Sequence, residues 1–139
     1  MSDLERHTVA IPRGLFAAFD KRNKRKGYKN RSEAIRDLIR EALVEEQWAD
    51  PEAPVAATAT IVFDHHTPAL PAKLTGVQHK FGDMIVSSMH VHLDHHNCLE
   101  VLVLRGKAKD IRRLADMLGA IKGVKHAQLA LTAEGGTLR

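Results

Sequence analysis

Seven of the nine histidines fall between His65 and His96, and the chain's single cysteine, Cys98, follows two residues later. Imidazoles and a thiolate at short spacing are the donors that hold d-block metal ions. In the segment MHVHLD, His90 and His92 are two residues apart, so in a strand they share one side while Val91 and Leu93 take the other. If the following DHHN is a hairpin turn, Cys98 opens the neighbouring strand, with Cys98 and Glu100 on one face and Leu99, Val101 and Val103 on the other. Two imidazoles and a thiolate then meet at one hairpin end, with Glu100 placed to accept an imidazole N–H and set that ring's tautomer. A fourth position is open to His79, at the end of the preceding helix, or to His95 or His96 in the turn. Turn histidines face solvent, which favours His79, in its own chain or a partner's. Such a donor set suits Zn(II), Cu(II), Ni(II) or Co(II) and not Mg or Ca, and the ligand types alone do not choose among them. The structural alternative is a surface His-x-His pair beside a buried cysteine acting as core filler. His65, His66, His95 and His96 read as solvated surface residues, with weaker external metal sites as their alternative use.

The same stretch satisfies HxHxDH through His90, His92, Asp94 and His95, a motif similar to that of zinc hydrolases of the metallo-β-lactamase fold. Such enzymes need a larger sandwich and further ligands, whereas after Cys98 this chain offers only His126. With no Gly-rich phosphate loop, no GxSxG and no carboxylate pair suited to acid/base work, the sequence points away from an enzyme. Aromatic residues are only 4%, too few for a base-stacking platform. No run of eighteen apolar residues occurs, and the opening MSDLERHTVA lacks the pattern of an export signal, so the expected location is cytoplasmic with no membrane partner.

These donors must be positioned by a fold. Its 139 residues suit one compact unit or two small ones. Residues 6–11 (RHTVAI) alternate as a short strand ended by Pro12, with His7, Val9 and Ile11 on one side and Arg6, Thr8 and Ala10 on the other. A helix over 13–25 buries Leu15, Phe16 and Phe19 and stops at Gly27. A second begins near Asn30, with Glu33 placed as in a capping box, and carries the stripe Ala34, Ile35, Leu38, Ile39, Ala42, Leu43 to about residue 47. One strand and two helices in about 45 residues are too small to stand alone, so this unit is expected to dimerise. A Pro/Ala-rich stretch over 48–57 reads as a linker. Beyond it the pattern predicts strand 58–64, helix 68–80, strand 84–93, strand 98–105, helix 107–119 and strand 123–132. That βαββαβ order is the ferredoxin-like, split-βαβ arrangement, with helices on one face and the other free to pair with a second copy. The domains expected are therefore 1–47, the linker 48–57, a domain over 58–133 and a C-terminal tail 134–139.

Formal net charge is +4, and residues 13–31 hold eight Lys or Arg against one Asp. A strand and two helices forming an obligate dimer describe the ribbon-helix-helix unit, whose paired strands enter the major groove. Arg6 would fork onto a guanine edge, Thr8 would bond a base or meet a thymine methyl, and Ala10 would make apolar contact. Phosphates would meet the free amides at the start of the second helix, near Asn30, Arg31 and Ser32, and the side chain of Lys29.

The residues RxTVxI (Arg6 to Ile11), GYxNRSEAIRD (Gly27 to Asp37), Gln78-His79 and HVHxxHxxCLE (His90 to Glu100) stand in one order over almost the whole chain. In this the sequence resembles the nickel-responsive transcriptional regulators of the NikR family. The resemblance implies an α+β chain with an N-terminal ribbon-helix-helix domain and an ACT-like βαββαβ domain, assembled as a homotetramer, a dimer of dimers. It implies one Ni(II) per chain, square-planar, on His90, His92 and Cys98 of one chain and His79 of another. It further implies that nickel favours a conformation that binds a palindromic operator and represses nickel uptake, and that some members hold an alkali ion at positions matching Glu33 and Asp37. Ala10 stands where some members carry a polar base-reading residue, and Thr67-Pro68 where some carry a basic pair. The competing reading, from another class, is a ribbon-helix-helix interaction module of antitoxin type, with an ACT-like domain for a small ligand or partner.

Overall fold

The computed structural model describes residues 3–139; Met1 and Ser2, which open the expected DNA-binding domain, lie outside the described residues. The chain divides into two compact units, residues 1–41 and 42–139.

In the first unit, helix α1 spans Arg13–Lys26 and helix α2 starts at Arg31. Gly27 ends α1 in the left-handed region (φ 81°), where its N–H bonds the Lys24 carbonyl and the Tyr28 N–H reaches back to Asn23, the closure that glycine permits without a Cβ clash. Asn30 Oδ1 accepts the Glu33 N–H at 2.9 Å and so caps α2 as expected. The expected strand over residues 6–11 is not formed in the single chain, where residues 3–12 belong to no helix or strand. A strand is held by a neighbour's backbone, and one chain supplies no such neighbour here. The apolar positions show the same shortage: Val9 is 72% and Leu15 63% exposed, against the burial expected of them, and in the α2 stripe only Ala34 is buried.

Helix α2 runs on to Ala49, and four strands follow: β1 (Pro54–Asp64), β2 (Ile85–His92), β3 (Asn97–Lys107) and β4 (Val124–Thr132). Helix α3 (Leu70–Lys80) follows β1 and helix α4 (Ala108–Gly119) follows β3, which is the expected βαββαβ order. All pairings are antiparallel in the order β2-β3-β1-β4. The linker expected over 48–57 shrinks to residues 50–53, because both its ends are structured. Pro54 sits at the first residue of β1, a position that tolerates its missing N–H. Trp48, read as linker, is 3% exposed and belongs to the core, with its indole N–H bonded to the Thr132 carbonyl at 2.8 Å and its ring beneath the Arg112 guanidinium. The expected tail is tied as well: Glu134 accepts from Arg105 (2.6 Å) and Thr137 from Gln47 (2.8 Å).

One face of the sheet is covered. Val55, Ala57, Ala59, Ile61 and Phe63 of β1, with Cys98, Leu102 and Leu104 of β3, pack against Leu70 and Leu74 of α3 and Ile111, Leu114 and Leu118 of α4. The other face carries Val91 opposite Leu99 and Met89 opposite Val101, and Met89 is 60% exposed.

Replacing Trp48 by Ala is expected to destabilise the second unit by about 3–5 kcal/mol, because it empties core volume and strands the Thr132 carbonyl. Urea unfolding followed by far-ultraviolet circular dichroism checks this, since Trp48 is the chain's only tryptophan and takes its fluorescence with it.

Candidate metal centre and nucleic-acid interface

The register of three strands builds the metal centre. Cys98 stands opposite Phe63 of β1 on one side and His92 of β2 on the other, and Glu100 stands opposite Ile61 and His90. Residues opposite each other in antiparallel strands share a face, so His90, His92, Cys98 and Glu100 all point to the side the helices cover. Cys98 is fully buried. Its Sγ lies 3.3 Å from His92 Nδ1 and 3.1 Å from His65 Nδ1, and His65, His92 and Cys98 place their donor atoms within 4.8 Å of one another. The His90 ring lies 5.2 Å from that of His92 and edge-on to Phe63.

His65, expected from the sequence among the solvated surface histidines, is a member of this group. It follows β1 directly and sits two residues beyond Phe63, on the same side, with its N–H bonded to the His96 carbonyl. The signal was available: a split-βαβ order places β1 beside β3, which brings the end of β1 to Cys98.

His79 lies exposed on the last turn of α3, outside the gathered donors. Its neighbour Gln78 donates from Nε2 to Glu100 Oε1 at 3.0 Å, and Glu100 is only 9% exposed. The buried carboxylate is thus satisfied by a side-chain amide and not by an imidazole, and it ties the turn that carries His79 to the strand that carries Cys98.

The hairpin between β2 and β3 is organised by Asp94. Its Oδ1 accepts the His96 and Asn97 N–H groups, both at 2.8 Å, and the Asn97 side chain adds a further bond to Oδ2. These bonds, that of the Asn97 side chain first, bring the Asp94 carboxyl down to about 2. A carboxylate spent on the turn is not the metal ligand that the HxHxDH pattern would need. His66 and His95 also cluster at this end, the His66 ring donating from Nε2 to the His95 carbonyl at 3.2 Å.

Burial favours the uncharged forms of Cys98 and His65. Burial pushes the Cys98 thiol up, helped by the charges of Asp64 and Asp94. Burial lowers His65, as do the neighbouring His66 and His92. Cys98 and the imidazoles beside it would hold a cation, which would supply the counter-charge to the desolvated thiolate in place of the thiol proton. A soft sulfur with imidazoles fits a late d-block ion.

In the first unit, Arg6, Thr8 and Ala10 are exposed on the segment before α1, and Lys29, Asn30, Arg31 and Ser32 are exposed around the start of α2. The Asn30 side-chain oxygen is committed to the cap. Arg31 is committed to Asp20, donating from Nε to Oδ1 (2.9 Å) and from Nη2 to Oδ2 (2.7 Å), with its guanidinium 4.1 Å from the centre of the Phe16 ring. Asp37, one of the two positions linked with an alkali ion, accepts from Tyr28 and Arg40.

Residues 56–132 match the NikR C-terminal nickel-binding domain, and residues 5–46 match the ribbon-helix-helix proteins of the copG family. A nickel-responsive regulator from Solibacter usitatus is 52% identical over the whole of both chains, and another, from Geobacter sulfurreducens, is 50% identical over 99% of each. Among solved structures, an uncharacterized Thermotoga maritima protein superposes with a TM-score of 0.52 at 20% identity, covering 56% of this chain and 96% of its own, a likeness of fold alone. The match over residues 56–132 replaces the antitoxin-type alternative with a nickel-binding domain. With residues 5–46 matching ribbon-helix-helix proteins and residues 56–132 matching a nickel-binding domain, this chain belongs to the family of nickel-responsive transcriptional regulators, DNA-binding proteins and not enzymes.

Proposed function

We propose that this regulator binds one Ni(II) per chain on His90, His92 and Cys98, completed by His79 of a second chain, within a homotetramer made of two dimers. The observation that carries the reading is the buried Cys98 thiol beside His92, with the His90 ring 5.2 Å from that of His92 on the same covered face, while His79 stands exposed and outside the donors gathered in one chain. Bound there, the ion supplies a strong link between thiolate and imidazole donors. The exposed apolar positions Met89 and Val91 support association of second units through the open sheet face.

Regulation follows from linkage. A site shared by two chains favours the arrangement in which both halves meet, and occupancy shifts the population by the difference in affinity. A tenfold shift needs about 1.4 kcal/mol, which is modest for a chelated transition ion. The favoured arrangement presents two ribbons to the half-sites of a palindromic operator and represses nickel uptake, in a cytoplasmic protein. In each ribbon Arg6, Thr8 and Ala10 face the bases, while Lys29, Ser32 and the free amides at the start of α2, near Asn30 and Arg31, meet phosphates.

Three outcomes are expected. In equilibrium dialysis, Cys98→Ala weakens Ni(II) binding by more than about 100-fold, beyond the loss typical of a residue that only supports a ligand; wild-type binding without sulfur in the nickel-edge absorption spectrum overturns the ligand set. His79→Ala and His90→Ala chains each bind poorly alone but recover about one intact site in a mixed tetramer; no recovery on mixing places all four ligands in one chain. Arg6→Ala lowers operator affinity about 10- to 100-fold, the worth of a base-edge contact, while nickel titration is unchanged; gel-shift and dialysis on the same preparation check both halves.

A further inference from the structure

We infer that Arg31 is a positioning residue for DNA binding, its side chain clamped to helix α1 so as to set where the first turn of α2 stands, and that its guanidinium is not itself a phosphate ligand. The inference rests on the reading that this first turn meets the DNA backbone.

Phe16 and Asp20 are four residues apart on α1 and therefore neighbours on one of its faces. Arg31, the first residue of α2, reaches across to both. Its Nε and Nη2 hold the two oxygens of Asp20 at 2.9 and 2.7 Å, and its plane lies 4.1 Å from the centre of the Phe16 ring. A two-pronged bond fixes direction as well as distance, and the ring fixes the plane, so the guanidinium has one edge and one face taken. A cation at the first position of a helix opposes the positive end of the helix dipole, and it is tolerated here because a carboxylate faces it. The same contact holds the Asp20 carboxyl below its usual range, the hydrogen bond from Arg31 being the main cause. The helix amides left without intrahelical partners in this first turn are what an anion would meet. Their direction depends on how α2 is set against α1, and Arg31 joins the two helices immediately beside the turn at Gly27.

The clamp and a phosphate ligand give opposite results in one set of variants. Nickel-loaded full-length wild type, Arg31→Ala, Arg31→Lys, Asp20→Asn and the double variant are titrated, across a range of salt concentrations, with a duplex that the wild type selects from a random-sequence pool. A clamp predicts that Arg31→Ala and Asp20→Asn each lose about five-fold in affinity, the worth of one exposed ion pair. The double variant should be no worse than either single one. Lysine, lacking the two-pronged geometry, should fail to rescue, and the slope of log affinity against log salt should stay at the wild-type value.

A phosphate ligand predicts a slope reduced by about 0.9 for each phosphate the variant no longer neutralises, rescue by lysine, and an Asp20→Asn variant that binds as tightly as wild type; that pattern overturns the inference, as do variants that all bind like wild type. A carbon-13 NMR titration of the Asp20 side chain judges the clamp without DNA. The carboxyl should titrate below the usual range in the wild type and return to it in Arg31→Ala, and a wild-type Asp20 in the ordinary range overturns the clamp. If the wild type itself selects no duplex, the DNA-binding reading fails and the positioning role falls with it, an outcome separate from any difference among the variants.

Discussion

The structure depends on the antiparallel register that sets Phe63, Cys98 and His92 side by side across β1, β3 and β2. Side chains alternate strictly along a strand, so a slip of one residue in β3 would turn Cys98 and Glu100 to the open face and bring Leu99 and Val101 to the core. The register is held by the apolar alternation itself: Leu102 and Leu104 follow Cys98 at even spacing on the covered face and bury with it. Folding energy and ligand placement therefore come from the same pattern. Asp94 secures the other end of the β2–β3 pair by gathering the amides of a tight turn, which fixes the spacing between His92 and Cys98.

Burial has a second consequence at this site. A thiol held out of water is costly to ionise, and the charges of Asp64 and Asp94 add to that cost. Burial therefore favours the protonated sulfur of Cys98, and a cation bound there would recover the cost by replacing the proton. Hard ions, which prefer oxygen, have little to gain there. Donor chemistry thus selects for late transition ions before any question of coordination geometry arises.

Each unit also leaves apolar surface open in the single chain. In the first, residues 6–11 form no strand and the apolar stripe of α2 stays open around Ala34. In the second, the face bearing Met89 and Val91 is uncovered, and His79 stands apart from the donors gathered at Cys98. Exposed apolar surface of this kind is stabilised by association, because removing it from water is favourable whichever chain supplies the cover.

The residue pattern by itself determined the strand and helix order of the second unit, the turn at Gly27, the cap at Asn30 and the concentration of metal donors around Cys98. All of these are written in local spacing, in periods of two and 3.6 and in the chemistry of single residues. Tertiary structure decided what depends on elements distant in sequence. Trp48, in a stretch whose composition suggests a linker, became core because β4 and α4 lie over it. His65 joined Cys98 only because β1 lies against β3, and Glu100 found Gln78 because α3 crosses above the sheet. Arg31 looked like one more basic residue in a basic run until α1 placed Asp20 and Phe16 against it. Composition and periodicity describe a residue's own segment, whereas a hydrogen bond or a ligand group is a property of two segments brought together, and only the packed chain sets that distance.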